Sequence, residues 1–171
     1  MAALVSRPRT RRIAMAVVAA AAIAALALFG LAGKGAGHPR APALPRQALS
    51  GHAVTLAQLR GHPAFVVFWA SWCTPCHHEA PAIERFARSV AGRVAVVGVD
   101  WSDPATARAR AFIRDYGWTF SSLQDPDGAV GDHYGLTGLP TTYLLDNHGR
   151  IAATLAGEQT QDSLQRALRA L

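Results

Sequence analysis

Six residues, Ala64-Phe65-Val66-Val67-Phe68-Trp69, follow Gly61 and Pro63 without one polar side chain, and after three more residues comes Cys73-Thr74-Pro75-Cys76-His77. So short an apolar run, bounded by turn residues, predicts a strand buried on both faces, which requires strand neighbours at its sides and helices above and below. Val94-Ala95-Val96-Val97-Gly98-Val99 is a second run of the same kind. Between the two, Ile83, Phe86, Ala87 and Val90 fall at i, i+3, i+4 and i+7. That spacing predicts a helix from near Cys73 to just before Gly92, with Glu84 and Arg88 placed for a surface pair. Pro81 lies inside it and removes the bond to the His77 carbonyl, so a kink is expected there.

Downstream, Asp103-Pro104 has the form of a cap and first turn, and Ala109, Phe112, Ile113 and Tyr116 continue a helical stripe to Gly117. A short helix is expected over residues 128–134, after the turn Asp125-Pro126-Asp127-Gly128. Thr141–Leu145 and Ile151–Leu155 flank Asp146-Asn147-His148-Gly149 as a hairpin. Leu164, Ala167, Leu168 and Leu171 mark a carboxyl-terminal amphipathic helix. Parallel βαβ units followed by an antiparallel hairpin give an α/β fold, a mixed sheet covered by helices on both faces, over residues 47–171.

The net charge of +6 would suit a nucleic-acid binder, but its placement does not. Residues 1–46 carry seven Lys/Arg and no acid, which leaves ten basic against eleven acidic side chains in residues 47–171. Without a basic cluster on the folded part, nucleic acid is excluded as a partner. Residues 1–12 form a basic amino terminus. Residues 13–33, IAMAVVAAAAIAALALFGLAG, are uncharged and long enough to span a bilayer as a transmembrane helix. The positive-inside rule puts the basic segment in the cytoplasm and everything after the span outside. A cleaved signal segment, cut near Gly30-Leu31-Ala32, would export the domain equally. Residues 34–46, rich in Gly and Pro, have the composition of a linker.

Cys73 and Cys76 are the only cysteines. A bridge across two intervening residues constrains the unfolded chain little, so chemistry explains the pair better than stapling does. Read as C-x-x-C-H, the motif is a c-type haem attachment signature; read as W-C-x-P-C, it is a thioredoxin-like redox pair. Haem needs a second axial ligand, and both methionines, Met1 and Met15, precede the domain, which leaves His133 or His148. The two buried strands flanking the motif favour the thiol reading. Cu(I) held by Cys73, Cys76 and a histidine is a further alternative, although no dedicated third ligand is evident. A peroxidase reading has no matching pocket residues near Cys73.

The stretches FVVFWASWCTPCHHEAP and GLPTTYLLDNHGR, with the preceding LPRQALSGHAVTLAQLRGHPA, resemble the TlpA/ResA branch of the thioredoxin-like family over about residues 44–171. That branch consists of membrane-anchored thiol-disulfide oxidoreductases and includes cytochrome c biogenesis proteins. The resemblance implies an extracytoplasmic enzyme with no cofactor other than a redox-active Cys73–Cys76 disulfide. Its substrates would be disulfides in exported proteins such as apocytochrome c, with a membrane thiol-transfer protein as electron donor; general oxidation or isomerisation is the alternative.

Cys73, at the first turn of the predicted helix, is the expected exposed attacking sulfur, because unpaired N–H groups and the helix dipole favour its thiolate. Cys76, one turn on, would resolve the mixed disulfide. Thioredoxins proper carry a buried acid six positions before the first cysteine, where this chain has Val67. The family pattern instead puts a glutamate at Glu79, on the helical face of Cys76, as the expected proton carrier. The same resemblance implies a cis bond at Leu139-Pro140 and a substrate-binding role for those two residues. Trp72, beside the sulfur, is expected to touch substrate, Trp69 to be core, and His77 to lie on the helix surface.

Overall fold

A computed structural model of the chain describes residues 37–171. The basic segment and the apolar run at 13–33 lie outside the described residues. Among the described residues, no helix is long and apolar enough to cross a membrane.

In chain order the elements are β1 (Ala48–Ser50), α1 (Leu56–Leu59), β2 (Ala64–Trp69), α2 (Thr74–Val90), β3 (Ala95–Trp101), α3 (Thr106–Asp115), β4 (Ser122–Asp125), α4 (Ala129–His133), β5 (Thr141–Leu145), β6 (Ile151–Ala156) and α5 (Gln161–Arg169). They build one six-stranded sheet in the order β1-β4-β3-β2-β5-β6. β2, β3 and β4 are parallel, while β5 runs antiparallel to β2 and pairs with β6 as the expected hairpin.

All six residues of β2 are buried, as its unbroken apolar run requires. Phe65, Val67 and Trp69 face a core shared with Cys76, Ile83 and Phe86 of α2, Phe112 of α3 and Leu164 of α5. Ala64, Val66 and Phe68 face a second core with Leu59 of α1, Tyr134 and Tyr143. The sheet is therefore covered on both sides. Its parallel strands all point the same way, so the loops after β2 and β3 emerge together at one end, and the residue before β5 returns to that end because Thr141 pairs with Phe68.

Several sequence expectations need correction. β1 and β4, three and four residues long, were not anticipated, because so short a strand shows no periodicity and is recognised only by its ladder partners. Asp103-Pro104 does not cap α3: the residue before the helix is Ala105, and the Asp103 side chain turns inward to other partners. From His38 onward the stretch composed like a linker is part of the folded unit. Ala41 and Leu44 are buried, and backbone bonds from Ala41 to Gly149 and from Ile151 to Pro39 tie it to the hairpin turn. Prolines suit such an extended stretch, because each fixes the backbone without requiring a ladder donor at its own position. As expected, α2 continues through Pro81 from Thr74 to Val90. Glu84 is buried rather than on the surface: its carboxylate accepts from Arg88 at 2.6 Å and from the N–H and hydroxyl of Thr119 at 2.9 and 3.0 Å.

Candidate functional site

β2 ends at Trp69, and the chain turns through Ala70-Ser71-Trp72 into Cys73, the N-cap residue of α2. Cys73 and Cys76 form a disulfide. The Cys76 N–H, in the first helical turn, donates to the Cys73 carbonyl at 3.0 Å and to the Cys73 sulfur at 3.2 Å. The sulfur thus takes the place of a capping oxygen, and negative charge on it would meet a donor and the positive end of the helix dipole. Cys73 is only 4% exposed and Cys76 fully buried, which corrects the expectation of an exposed first sulfur. In the oxidised pair both sulfurs belong to the core beneath Trp69, against which Leu139 also packs.

Glu79 follows Cys76 by three residues and is 3% exposed. Its one hydrogen-bond donor is the Gln159 N–H, at 2.8 Å to Oε2. Burial pushes its carboxyl up to about 7; the Gln159 bond opposes this and the nearby Glu158 charge adds to it. A carboxyl in this range can carry a proton in either direction near neutral pH.

Trp72 is half exposed, and its indole N–H donates to the Ser102 carbonyl at 3.2 Å. Trp69 is wholly buried, stacked on Phe112 and edge-on to Trp118. His77 is half-buried instead of on the surface: Nε2 lies 2.9 Å from the Ser71 carbonyl and Nδ1 3.0 Å from the Tyr116 hydroxyl. Because a carbonyl only accepts, Nε2 carries a proton. The Leu139-Pro140 bond is cis and immediately precedes β5, at the end of the sheet where the cysteines lie. The Pro140 carbonyl accepts from Gly157, and Pro140 itself is buried.

Two acids at this end were missed. Asp100 pairs in register with Trp69 on the neighbouring strand and is wholly buried. Asp103, equally buried, accepts the Ser71 N–H at 2.8 Å and the Ala105 N–H at 2.9 Å. A charge closing the apolar run VAVVGVDW was the available signal, since an acid at the end of a doubly covered strand has to find a partner inside. Among the described residues, no three His, Cys, Asp or Glu side chains are grouped to hold a metal.

Residues 38–154 match the model of the AhpC/TSA family. The chain is 34% identical over 131 residues to thioredoxin-like protein YneN of Bacillus subtilis, covering 75% of this chain and 76% of the relative. It is 30% identical over 122 residues to the thiol-disulfide oxidoreductase ResA of Bacillus thuringiensis, covering 71% and 70%. Among solved structures, a DsbF homologue from Corynebacterium diphtheriae superposes with a TM-score of 0.73 at 25% identity, covering 79% of this chain and 88% of that one.

Proposed function

The chain belongs to the AhpC/TSA family and is a thioredoxin-fold thiol-disulfide oxidoreductase, and from this premise we propose that it reduces disulfides in exported proteins such as apocytochrome c, held outside the membrane by residues 13–33. The observation that carries the mechanism is the disulfide at the start of α2, with the Cys73 sulfur on the Cys76 N–H and a proton-carrying Glu79 one turn beyond.

In the reduced enzyme the Cys73 thiolate attacks one sulfur of the substrate disulfide. A mixed disulfide forms, and the second substrate sulfur leaves as a thiolate that takes up a proton. Glu79 removes the Cys76 proton, and the Cys76 thiolate attacks the Cys73 sulfur. The substrate's remaining sulfur departs, leaving the substrate reduced by two electrons and the enzyme with the Cys73–Cys76 bridge. A dithiol on a membrane thiol-transfer protein resets the pair by the reverse exchange. Trp72, and Leu139 with Pro140, offer an exposed aromatic and a backbone edge to an extended substrate segment.

Trapping on a Cys76→Ser variant tests this, because the mixed disulfide on Cys73 then persists. Cytochrome precursors joined through their C-x-x-C-H cysteines are the expected catch. Recovery of broadly diverse exported proteins would replace reduction of cytochrome precursors with general oxidation or isomerisation. Tight stoichiometric Cu(I) binding by a reduced protein unable to reduce insulin would replace it with metal carriage.

A further inference from the structure

The loop between β3 and α3, residues 102–105, touches the segment leading into Cys73 at two points. Its Asp103 carboxylate accepts the Ser71 N–H at 2.8 Å, and its Ser102 carbonyl accepts the Trp72 indole N–H at 3.2 Å. On the other side the Ser71 carbonyl meets Nε2 of His77 at 2.9 Å. The peptide groups flanking Ser71 are thus held from opposite directions, two residues before the sulfur. Ser102 has a φ of +50°, a left-handed conformation that a non-glycine residue holds only when its surroundings demand it, and such positions concentrate at functional sites.

Behind this loop, Asp100 is wholly buried, and neither of its oxygens has a nitrogen or hydroxyl donor within reach. The nearby Trp69 Nε1 and Ser122 Oγ are likewise without partners. The Asp103 carboxyl lies close enough to act on Asp100, and a proton between the two acids would give the Asp100 oxygens the partner they lack. We propose that the β3–α3 loop clamps the Cys73 segment, and that Asp100 is the positioning residue of the clamp, acting through a proton shared with Asp103.

Burial, with the Asp103 charge beside it, pushes the Asp100 carboxyl up to about 8. Burial also acts on Asp103, but the hydrogen bonds from Ser71 and Ala105 and the Arg108 charge hold it below the usual carboxylate range. Asp100 therefore keeps the proton and Asp103 the charge that binds the Ser71 N–H. Asp125 of β4 also faces Asp100, its oxygens occupied by the Val130 and Gly131 N–H groups; Arg108 faces Asp103; His77 and Tyr116 hold the far side of Ser71. Loss of the shared proton at alkaline pH sets two buried carboxylates against each other and loosens the segment.

The inference rests on Cys73 being the attacking sulfur, and the test separates the two. The reduced full chain is alkylated with iodoacetamide from pH 5 to 10, and mass spectrometry assigns the modified cysteine. The natural sequence is expected to react at Cys73 with an inflection near pH 8, from Asp100, besides that of the thiol. Asp100→Leu should slow alkylation at neutral pH about fivefold, and Asp100→Asn, which still donates to Asp103, should restore the rate and lack the alkaline inflection. Asp103→Asn, which keeps the shape of the loop without the charge, should be as slow as Asp100→Leu. Reaction at Cys73 with one unchanged pH profile in all variants overturns the clamp and leaves the exchange mechanism standing. Reaction at Cys76 in the natural sequence overturns both.

Discussion

Glu79 and Glu84 lie five residues apart on α2 and are buried to nearly the same degree, yet their surroundings differ. Glu84 takes three hydrogen bonds, one from Arg88 and two from Thr119, and fastens the helix to the strand-leading loop across from it. Glu79 takes one, from a backbone N–H. Donors stabilise the charged form of a carboxylate and burial opposes it, so the number of donors decides what a buried acid is for. A fully solvated-by-protein carboxylate is a structural tie. One left short of donors holds its proton near neutral pH and can pass it on.

Removing either acid tests this contrast, and the largest effect should come from the tie. Glu84→Ala strands the Thr119 N–H and hydroxyl, and a loss of about 3 kcal/mol in urea unfolding is expected, with the per-molecule rate of insulin reduction little changed. Next is the pH dependence of stability. Glu79 is raised from 4.5 to about 7, so the native state holds the proton more tightly. Its contribution is fully present below pH 4.5 and is lost as pH rises through 7, a decline on the order of 3 kcal/mol. In Glu79→Gln that part of the decline should vanish from unfolding midpoints measured between pH 4.5 and 8. A variant with the same slope as the natural sequence would remove Glu79 from the buried-acid role.

The same Glu79→Gln variant should lower turnover in insulin reduction about tenfold at neutral pH, through slower resolution of the mixed disulfide. Smaller again is Trp118→Phe, which deletes the indole bond to the Ala80 carbonyl, next to Glu79, and should cost about 1 kcal/mol. Trp72→Phe keeps an aromatic face and loses only the bond to Ser102; about a two- to threefold fall in kcat/KM is expected.

Much of this architecture was legible from local pattern. β2, α2, β3, the β5–β6 hairpin and α5 all lie where apolar runs, helical spacing and turn residues put them. Glu79 was singled out because the family pattern has a glutamate there and because it follows Cys76 on one helix, where three residues in sequence is one turn in space. Asp100 was not, although it lies at the same end of the sheet. The position searched was Val67, on the strand leading to the cysteines, whereas this acid is on the adjacent strand, more than twenty residues after the motif. His77 was misplaced because its neighbours, Ser71 and Tyr116, belong to a different loop and a different helix. Cys73 was expected outside because a helix start is usually wet, and the packed loops around it cannot be inferred from spacing.

Sequence alone determined the strand–Cys–helix unit, the placing of its two sulfurs at a helix start and the doubly covered sheet, because apolar periodicity and helix-end signals act over a few residues. Tertiary structure alone decided which acids keep their protons and which loops hold the first sulfur, because desolvation and donor count depend on what distant strands bring alongside.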